Sequence, residues 1–207
     1  MKVINRLKRK HPDLFEYLPA DEVHPHDRFL ENTILRLIPS FITPNILSLF
    51  RIFATPVVFF IILFGHYQIG VIAFVLVSFT DAMDGSLART KNKITKFGML
   101  IDPLADKLLI GSMVLLLVFR YLHFWLGVAV LGIEIAFISS AYVARVKFKT
   151  VRMANTWGKI KMFLQTLAVC SILIALVFEN TIFLSIATGV LGLSVGFALV
   201  SLFRHGI

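Results

Sequence analysis

Six long apolar segments dominate the chain, and their length is the feature that most restricts its fold. Each is close to the ~20 residues that an α-helix needs to cross ~30 Å of hydrocarbon. Only 16% of the residues are charged, whereas soluble domains carry about 25%. The sequence therefore predicts an all-α integral membrane protein with six transmembrane helices. The predicted spans are residues 46–66, 68–89, 98–120, 124–145, 158–178 and 181–203.

The N-terminal part of the chain is polar and has a different pattern. Between Asp27 and Ser40 apolar residues are interspersed with charged ones, which is typical of an amphipathic helix in the membrane interface. A short helix packed on the protein itself is the alternative. We therefore predict a cytoplasmic segment with a juxtamembrane amphipathic helix over residues 1–42, and a transmembrane domain over residues 43–207.

Basic residues predict the orientation in the membrane. They cluster near the N-terminus, between spans two and three, and between spans four and five, whereas Arg120 is the one basic residue in the opposite turns. Because cytoplasmic loops are enriched in Lys and Arg, both termini are predicted to be cytoplasmic. The formal charge of +9 then indicates contact with anionic membrane lipids rather than with nucleic acid.

Four aspartates interrupt the apolar pattern of spans two and three. They are Asp81, Asp84, Asp102 and Asp106. One such residue at the centre of a spanning helix costs roughly 2.5–3.5 kcal/mol on insertion scales. Spacings of three and four residues place each pair on one helical face, where the carboxylates could hold Mg²⁺ or Mn²⁺. Helix caps and solvated loop ends are the alternative interpretation.

The same region carries a longer motif, D-x2-D-G-x2-A-R-x8-G-x3-D-x3-D, which is matched at every fixed position from Asp81 to Asp106. It resembles the signature of the CDP-alcohol phosphotransferase family of integral membrane enzymes. A second, looser element of that family is similar to the stretch from Pro44 to Arg51, in which Ser48 stands where the family often has threonine. The resemblance extends from about Thr43 to the C-terminus.

The resemblance implies a reaction in phospholipid biosynthesis. A phosphatidyl or related substituted phosphate group passes from a CDP-linked donor, such as CDP-diacylglycerol, to a small polar alcohol, and CMP is released. By similarity Asp81, Asp84 and Asp102 are expected to bind metal. Asp106 is expected to act as the general base and to contact a second ion. A homodimer is also implied, whereas the distribution of basic residues predicts that the aspartates lie on the cytoplasmic side.

The resemblance also indicates residues that contact the CDP group of the donor, namely Asn45, Ser48, Gly85, Ala88, Arg89 and Thr95. Gly85 would allow close approach of the nucleotide, and Arg89 could pair with a phosphate. Two of the others have alternatives: Asn45 as the cap of span one, and Thr95 as an ordinary loop residue. Arg51 either extends to the interface or faces the polar cavity.

The acceptor is predicted to be glycerol 3-phosphate, with inositol phosphate, serine or another polar alcohol left open. Candidate residues for the acceptor are Arg145, Lys159 and Lys161, although positive-inside topology alone accounts for such charges. Related phosphatidylglycerophosphate synthases often have an Arg-Glu pair in span four, whereas Ile133 precedes Glu134 here.

Two other functional classes are compatible with acids inside a membrane. The first is a cation transporter, since intramembrane carboxylates also mark ion pathways. The second is an inactive relative that serves as a scaffold. The framework of Gly85, Ala88 and Arg89 has no evident use in an ion pathway, and the presence of all four aspartates argues against lost chemistry.

Overall fold

Six long helices form almost all of the structure. The computed structural model describes residues 17–18, 33, 35, 39, 42–91, 93–148 and 156–205. The helices are α1 (Pro44–Leu63), α2 (Tyr67–Thr90), α3 (Lys96–Tyr121), α4 (Phe124–Phe148), α5 (Thr156–Phe178) and α6 (Ile182–His205). Every predicted apolar segment corresponds to one of them, with each end displaced by no more than about three residues.

Four of the helices, α1, α2, α5 and α6, are long and apolar enough to cross a membrane. The apolar part of α4 covers only Phe124–Ser139 in the described chain, and α3 carries charged side chains along its first half. The structure therefore indicates a membrane protein with four candidate spans, and six spans stay a prediction. The predicted amphipathic helix between Asp27 and Ser40 falls almost entirely outside the described residues.

A short antiparallel β-ladder, which the sequence did not predict, joins two distant parts of the chain. Strand β1 (Tyr17–Leu18) pairs with strand β2 (Ile94–Thr95), so that Tyr17 lies opposite Thr95 and Leu18 opposite Ile94. Strand β2 directly precedes α3. The N-terminal segment is thereby attached to the connection between α2 and α3.

Contacts divide the chain into two units that meet between Leu109 and Ile110. In the first unit α1 and α2 form a helical hairpin. The buried face of α1 repeats at three- and four-residue intervals, which is the spacing of one helical stripe. Its residues are Ser48, Arg51, Thr55, Val58 and Ile62. The stripe is apolar near the turn and polar near the start of the helix.

Close packing at the turn sets the register of this hairpin. Gly65 has a φ of +87°, a conformation that glycine adopts without steric cost. On the returning helix, a Cβ at Gly70 would lie 2.5 Å from Ile62 Cγ1. A side chain at position 70 would force Ile62 to shift. In this register the polar end of the α1 stripe lies beside the aspartates of α2.

In the second unit α5 and α6 pack along their length, and α4 also contacts α6. The buried face of α6 consists mainly of small side chains, which allow helix backbones to approach closely. Those residues are Ala187, Leu191, Ser194, Ala198 and Ser201. The centre of α5 contributes larger apolar residues, including Ile172 and Leu173.

Candidate active site

The four predicted aspartates converge in the first unit. Asp81 and Asp84 lie one turn apart on α2, and Asp102 and Asp106 lie one turn apart on α3. All four carboxylates contact a single side chain from α1, the guanidinium group of Arg51. The predicted pairing of two helical faces is therefore present, with a third helix at its centre.

Arg51 bridges the two helices with each of its terminal nitrogens. Nη1 contacts Asp81 and donates a hydrogen bond to Asp106 Oδ1 at 2.6 Å. Nη2 donates a hydrogen bond to Asp84 Oδ2 at 2.8 Å and lies 3.8 Å from Asp102 Oδ1. The Arg51 side chain is fully buried. Of the two alternatives for this residue, the structure thus places it in the carboxylate cluster.

Ser48 adds a second link between α2 and α3. Its hydroxyl lies 3.3 Å from Asp84 Oδ2 and also contacts Asp102 Oδ1. One turn of helix separates Ser48 from Arg51, so both side chains lie on the same face of α1. A hydroxyl at position 48 therefore belongs to the carboxylate cluster in this structure.

The cluster opens toward one side. The Asp84 side chain is 1% exposed, whereas that of Asp81 is 47% exposed. Beside Asp81 lies a cavity of about 300 Å³, lined by Asp81, Ala82, Gly85, Ser86, Arg89 and Asp102. Two acids and one arginine of the motif thus face the same open space. Gly85 presents no side chain to it, and a Cβ there would come within 3.4 Å of Arg89 Nη1.

Two of the other residues predicted to contact the CDP donor, Asn45 and Thr95, are hydrogen-bonded to each other. The Thr95 hydroxyl donates a hydrogen bond to Asn45 Oδ1 at 3.0 Å and accepts one from the Gly98 N–H at 3.0 Å. The N-cap of α1 is Thr43, so Asn45 is not the cap of this helix. Ala88 is half-buried on α2 and does not belong to the residues that line the cavity.

The side chains suit a hard cation in their chemistry. Carboxylate oxygens are the ligands that Mg²⁺ and Mn²⁺ prefer, and four carboxylates here lie within reach of one guanidinium. Across the described residues, no three acidic, histidine or cysteine side chains already stand in the geometry of a metal site. In this conformation the positive charge shared by the carboxylates is that of Arg51.

The predicted acceptor residues have different environments in the second unit. Lys159 on α5 is exposed, whereas Lys161 is buried and its Nζ lies 2.5 Å from Glu134 Oε1 on α4. The same Glu134 oxygen accepts a hydrogen bond from Gln165 at 2.8 Å. The side chain of Arg145 lies outside the described part of α4. The charge of Lys161 is therefore already paired.

Arg51 is the site residue that the sequence left undecided. Its position offered a signal, because an arginine seven residues after Pro44 falls about two turns inside an apolar helix. A charge there requires a polar partner. The partner could not be identified from spacing within α1, since all four aspartates are 30 or more positions away in sequence.

Comparisons with known proteins confirm the resemblance. One relative is the CDP-diacylglycerol--glycerol-3-phosphate 3-phosphatidyltransferase of Bacillus subtilis (strain 168), 33% identical over 147 residues that cover 63% of this chain and 76% of that protein. The protein of the same name from Rickettsia bellii (strain RML369-C) is 44% identical over 77 residues, 36% of this chain and 42% of that one. A third relative, the "Probable cardiolipin synthase (CMP-forming)" of Drosophila melanogaster, is 33% identical over 104 residues, 49% of this chain and 32% of that protein.

The matched lengths differ, so that this chain aligns with three quarters of the Bacillus protein but with less than half of the Rickettsia and Drosophila proteins. The model of one family, CDP-alcohol phosphatidyltransferase, matches residues 41–200, which include all four aspartates and Arg51. This protein therefore belongs to the CDP-alcohol phosphatidyltransferase family of enzymes.

Proposed function

We propose that this protein transfers the phosphatidyl group of CDP-diacylglycerol to glycerol 3-phosphate and releases CMP. The observation that carries the proposal is the convergence of Asp81, Asp84, Asp102 and Asp106 beside a cavity that also reaches Arg89. Carboxylates and an arginine around one open space suit an anionic pyrophosphate bound through cations, whereas an ion pathway alone would not require the arginine.

The residues divide into three roles in this proposal. Asp81, Asp84 and Asp102 hold divalent cations, and Asp106 takes the proton from the attacking hydroxyl of the acceptor. Two bound Mg²⁺ or Mn²⁺ ions would neutralise phosphate oxygens and stabilise the CMP leaving group. Arg89, at the edge of the cavity, pairs with a phosphate of the donor.

The donor is oriented by residues next to the acids. Gly85 leaves the cavity open for the nucleotide, and the small side chain of Ala88 leaves space on its own face of α2. Asn45 and Thr95, which are hydrogen-bonded to each other, contact the CDP group at the start of α1. Ser48 keeps Asp84 and Asp102 in place through its hydroxyl.

The choice of glycerol 3-phosphate is supported by the names of the Bacillus and Rickettsia relatives. In this proposal Lys159, Lys161 and Arg145 bind the acceptor phosphate, with Lys161 already positioned by Glu134. The name of the Drosophila relative favours a second candidate, a CMP-forming cardiolipin synthase. Inositol phosphate and serine stay open as other acceptors.

The proposal includes a membrane arrangement. All six helices of residues 43–207 span the bilayer, both termini and the aspartates lie on the cytoplasmic side, and residues 1–42 form a cytoplasmic segment with a juxtamembrane amphipathic helix. A homodimer in contact with anionic lipid is part of it. The four long apolar helices and the basic loops support this topology through the positive-inside rule.

The test is CMP release by the purified protein from CDP-diacylglycerol with Mg²⁺ or Mn²⁺. The acceptor panel contains glycerol 3-phosphate, phosphatidylglycerol, inositol phosphate, inositol and serine. Metal-dependent release with glycerol 3-phosphate alone is the expected result. Release only with phosphatidylglycerol would establish the second candidate. No release with any alcohol, from protein that binds the cation, would overturn the proposed reaction.

A further inference from the structure

We propose that Arg51 is a built-in counter-cation of the aspartate cluster, which holds the four carboxylates together before divalent cations bind and competes with those cations for the same oxygens. The inference rests on the proposed function in one respect, namely that the aspartates are the cation ligands. It adds a positioning residue to the site, because Arg51 acts through the carboxylates rather than on the substrate.

The geometry of the guanidinium group carries the first step. Each terminal nitrogen contacts one aspartate of α2 and one of α3, so that Nη1 joins Asp81 to Asp106 and Nη2 joins Asp84 to Asp102. A planar fork with two terminal nitrogens can hold such a pattern, whereas a lysine ammonium is a single point charge. Arg51 is thus placed to keep the two aspartate-bearing helices together.

The second argument comes from the burial of Arg51 and from its unpaired Nε. Arg51 is fully buried, so its charge does not extend to the membrane interface. Its Nε is buried without a hydrogen-bond partner among the described residues, and leaving a buried donor unsatisfied costs free energy. In this position the terminal nitrogens of Arg51 contact the carboxylates while its Nε makes no hydrogen bond to the described residues.

Charge balance carries the third step. One guanidinium cannot neutralise four carboxylates, and uncompensated charge inside a membrane protein is costly. Divalent cations would supply the missing charge, but they would bind the carboxylates that Arg51 already contacts. Cation binding and the Arg51 contacts are therefore coupled, and the coupling acts equally in both directions.

The experiment compares wild type, Arg51→Gln and Arg51→Lys in detergent, with Val58→Ala as a control. Val58 lies on the same buried stripe of α1, two turns beyond Arg51, and its side chain carries no charge. For each protein we would measure the apparent Tm in chelator and in saturating Mn²⁺, and the Kd for Mn²⁺ by titration. Neither readout requires turnover.

In chelator Arg51→Gln should lower the Tm by about 6–12 °C, because a buried charge cluster loses its partner. Saturating Mn²⁺ should recover about 3–6 °C of that loss, which corresponds to a tenfold difference in Mn²⁺ affinity. By linkage, the variant should bind Mn²⁺ about tenfold more tightly than wild type, since no guanidinium competes for the oxygens. Arg51→Lys should have a Tm and a Mn²⁺ affinity between those of wild type and Arg51→Gln. Val58→Ala should lower the Tm by the same amount with and without Mn²⁺.

An equal Tm loss in chelator and in Mn²⁺, together with an unchanged or weaker Mn²⁺ affinity, would overturn the inference, because a merely structural arginine behaves in that way. If Arg51→Gln cannot be purified in chelator, it would be prepared throughout in Mn²⁺. Recovery of folded protein under that condition supports the inference, and failure under both conditions rejects it. Failure of the proposed reaction would appear separately, as the absence of CMP release from wild type.

Discussion

Replacing Gly98 with alanine tests whether the hydrogen-bonded pair of Asn45 and Thr95 contributes to binding of the CDP donor. A Cβ at this position would lie 2.6 Å from Asn45 Oδ1 and 3.2 Å from Thr95 Oγ1. Real Cβ atoms essentially never approach closer than 3.0 Å, so the Asn45 amide must move by at least about 0.4 Å. That movement strains the 3.0 Å hydrogen bond from Thr95 to Asn45.

The expected effect is on donor affinity. If Asn45 and Thr95 contact the CDP group, the displaced amide loses about one hydrogen bond to the donor, about 0.5–1.5 kcal/mol, which corresponds to a two- to twelvefold higher KM for CDP-diacylglycerol. The kcat should change less, because the carboxylates stay in place. Alanine is the better helix former by about 1 kcal/mol, which offsets part of the cost of the contact with Asn45.

The matched control is Gly111→Ala on the same helix. At Gly111 a Cβ would have open space, with no heavy atom of the described residues within 4 Å. We would measure initial rates of CMP release against donor concentration for both variants. A Gly98→Ala enzyme with the KM of wild type, or a Gly111→Ala enzyme with an equal rise in KM, would refute the assignment of Asn45 and Thr95.

Three further predictions concern other contacts. Asp106→Asn should lower kcat by about 10²–10⁴-fold while donor binding persists in a displacement assay; a near-normal rate would reject Asp106 as the base. Glu134→Gln should cost about 2–4 kcal/mol of unfolding free energy, below the range for a fully buried pair because the Glu134 side chain is 26% exposed, and adding Lys161→Met should recover part of it. Gly70→Ala should cost about 1–3 kcal/mol by overpacking against Ile62, and an unchanged Tm would contradict that contact.

The helices themselves were readable from the sequence. Their apolar segments are long and end at polar turns, and hydrophobicity together with backbone hydrogen bonding leaves such segments few alternatives to a helix. The pairing of Asp81 with Asp84 and of Asp102 with Asp106 on common faces was equally predictable, because it depends only on the helical repeat. The family motif then indicated the chemistry of these faces.

The β-ladder between β1 and β2 was not predictable from local sequence patterns. Strand β1 consists of Tyr17 and Leu18, which are separated from their partners Ile94 and Thr95 by more than 70 positions. Two residues carry no recognisable strand period, and pairing at that distance is decided by the fold as a whole. The same holds for the ion pair of Lys161, whose partner Glu134 lies on another helix.

The sequence by itself thus determined the class of fold, the four aspartates and the family, since each follows from local composition, helical spacing or a motif within 26 positions. Only the tertiary structure decided which charge the aspartates share. Arg51 reaches Asp84 across 33 positions and Asp106 across 55, and contacts of this kind depend on how α1 packs beside α2 and α3. A charge buried in a membrane protein must find its partner in space, and no spacing along one helix reveals which partner that is.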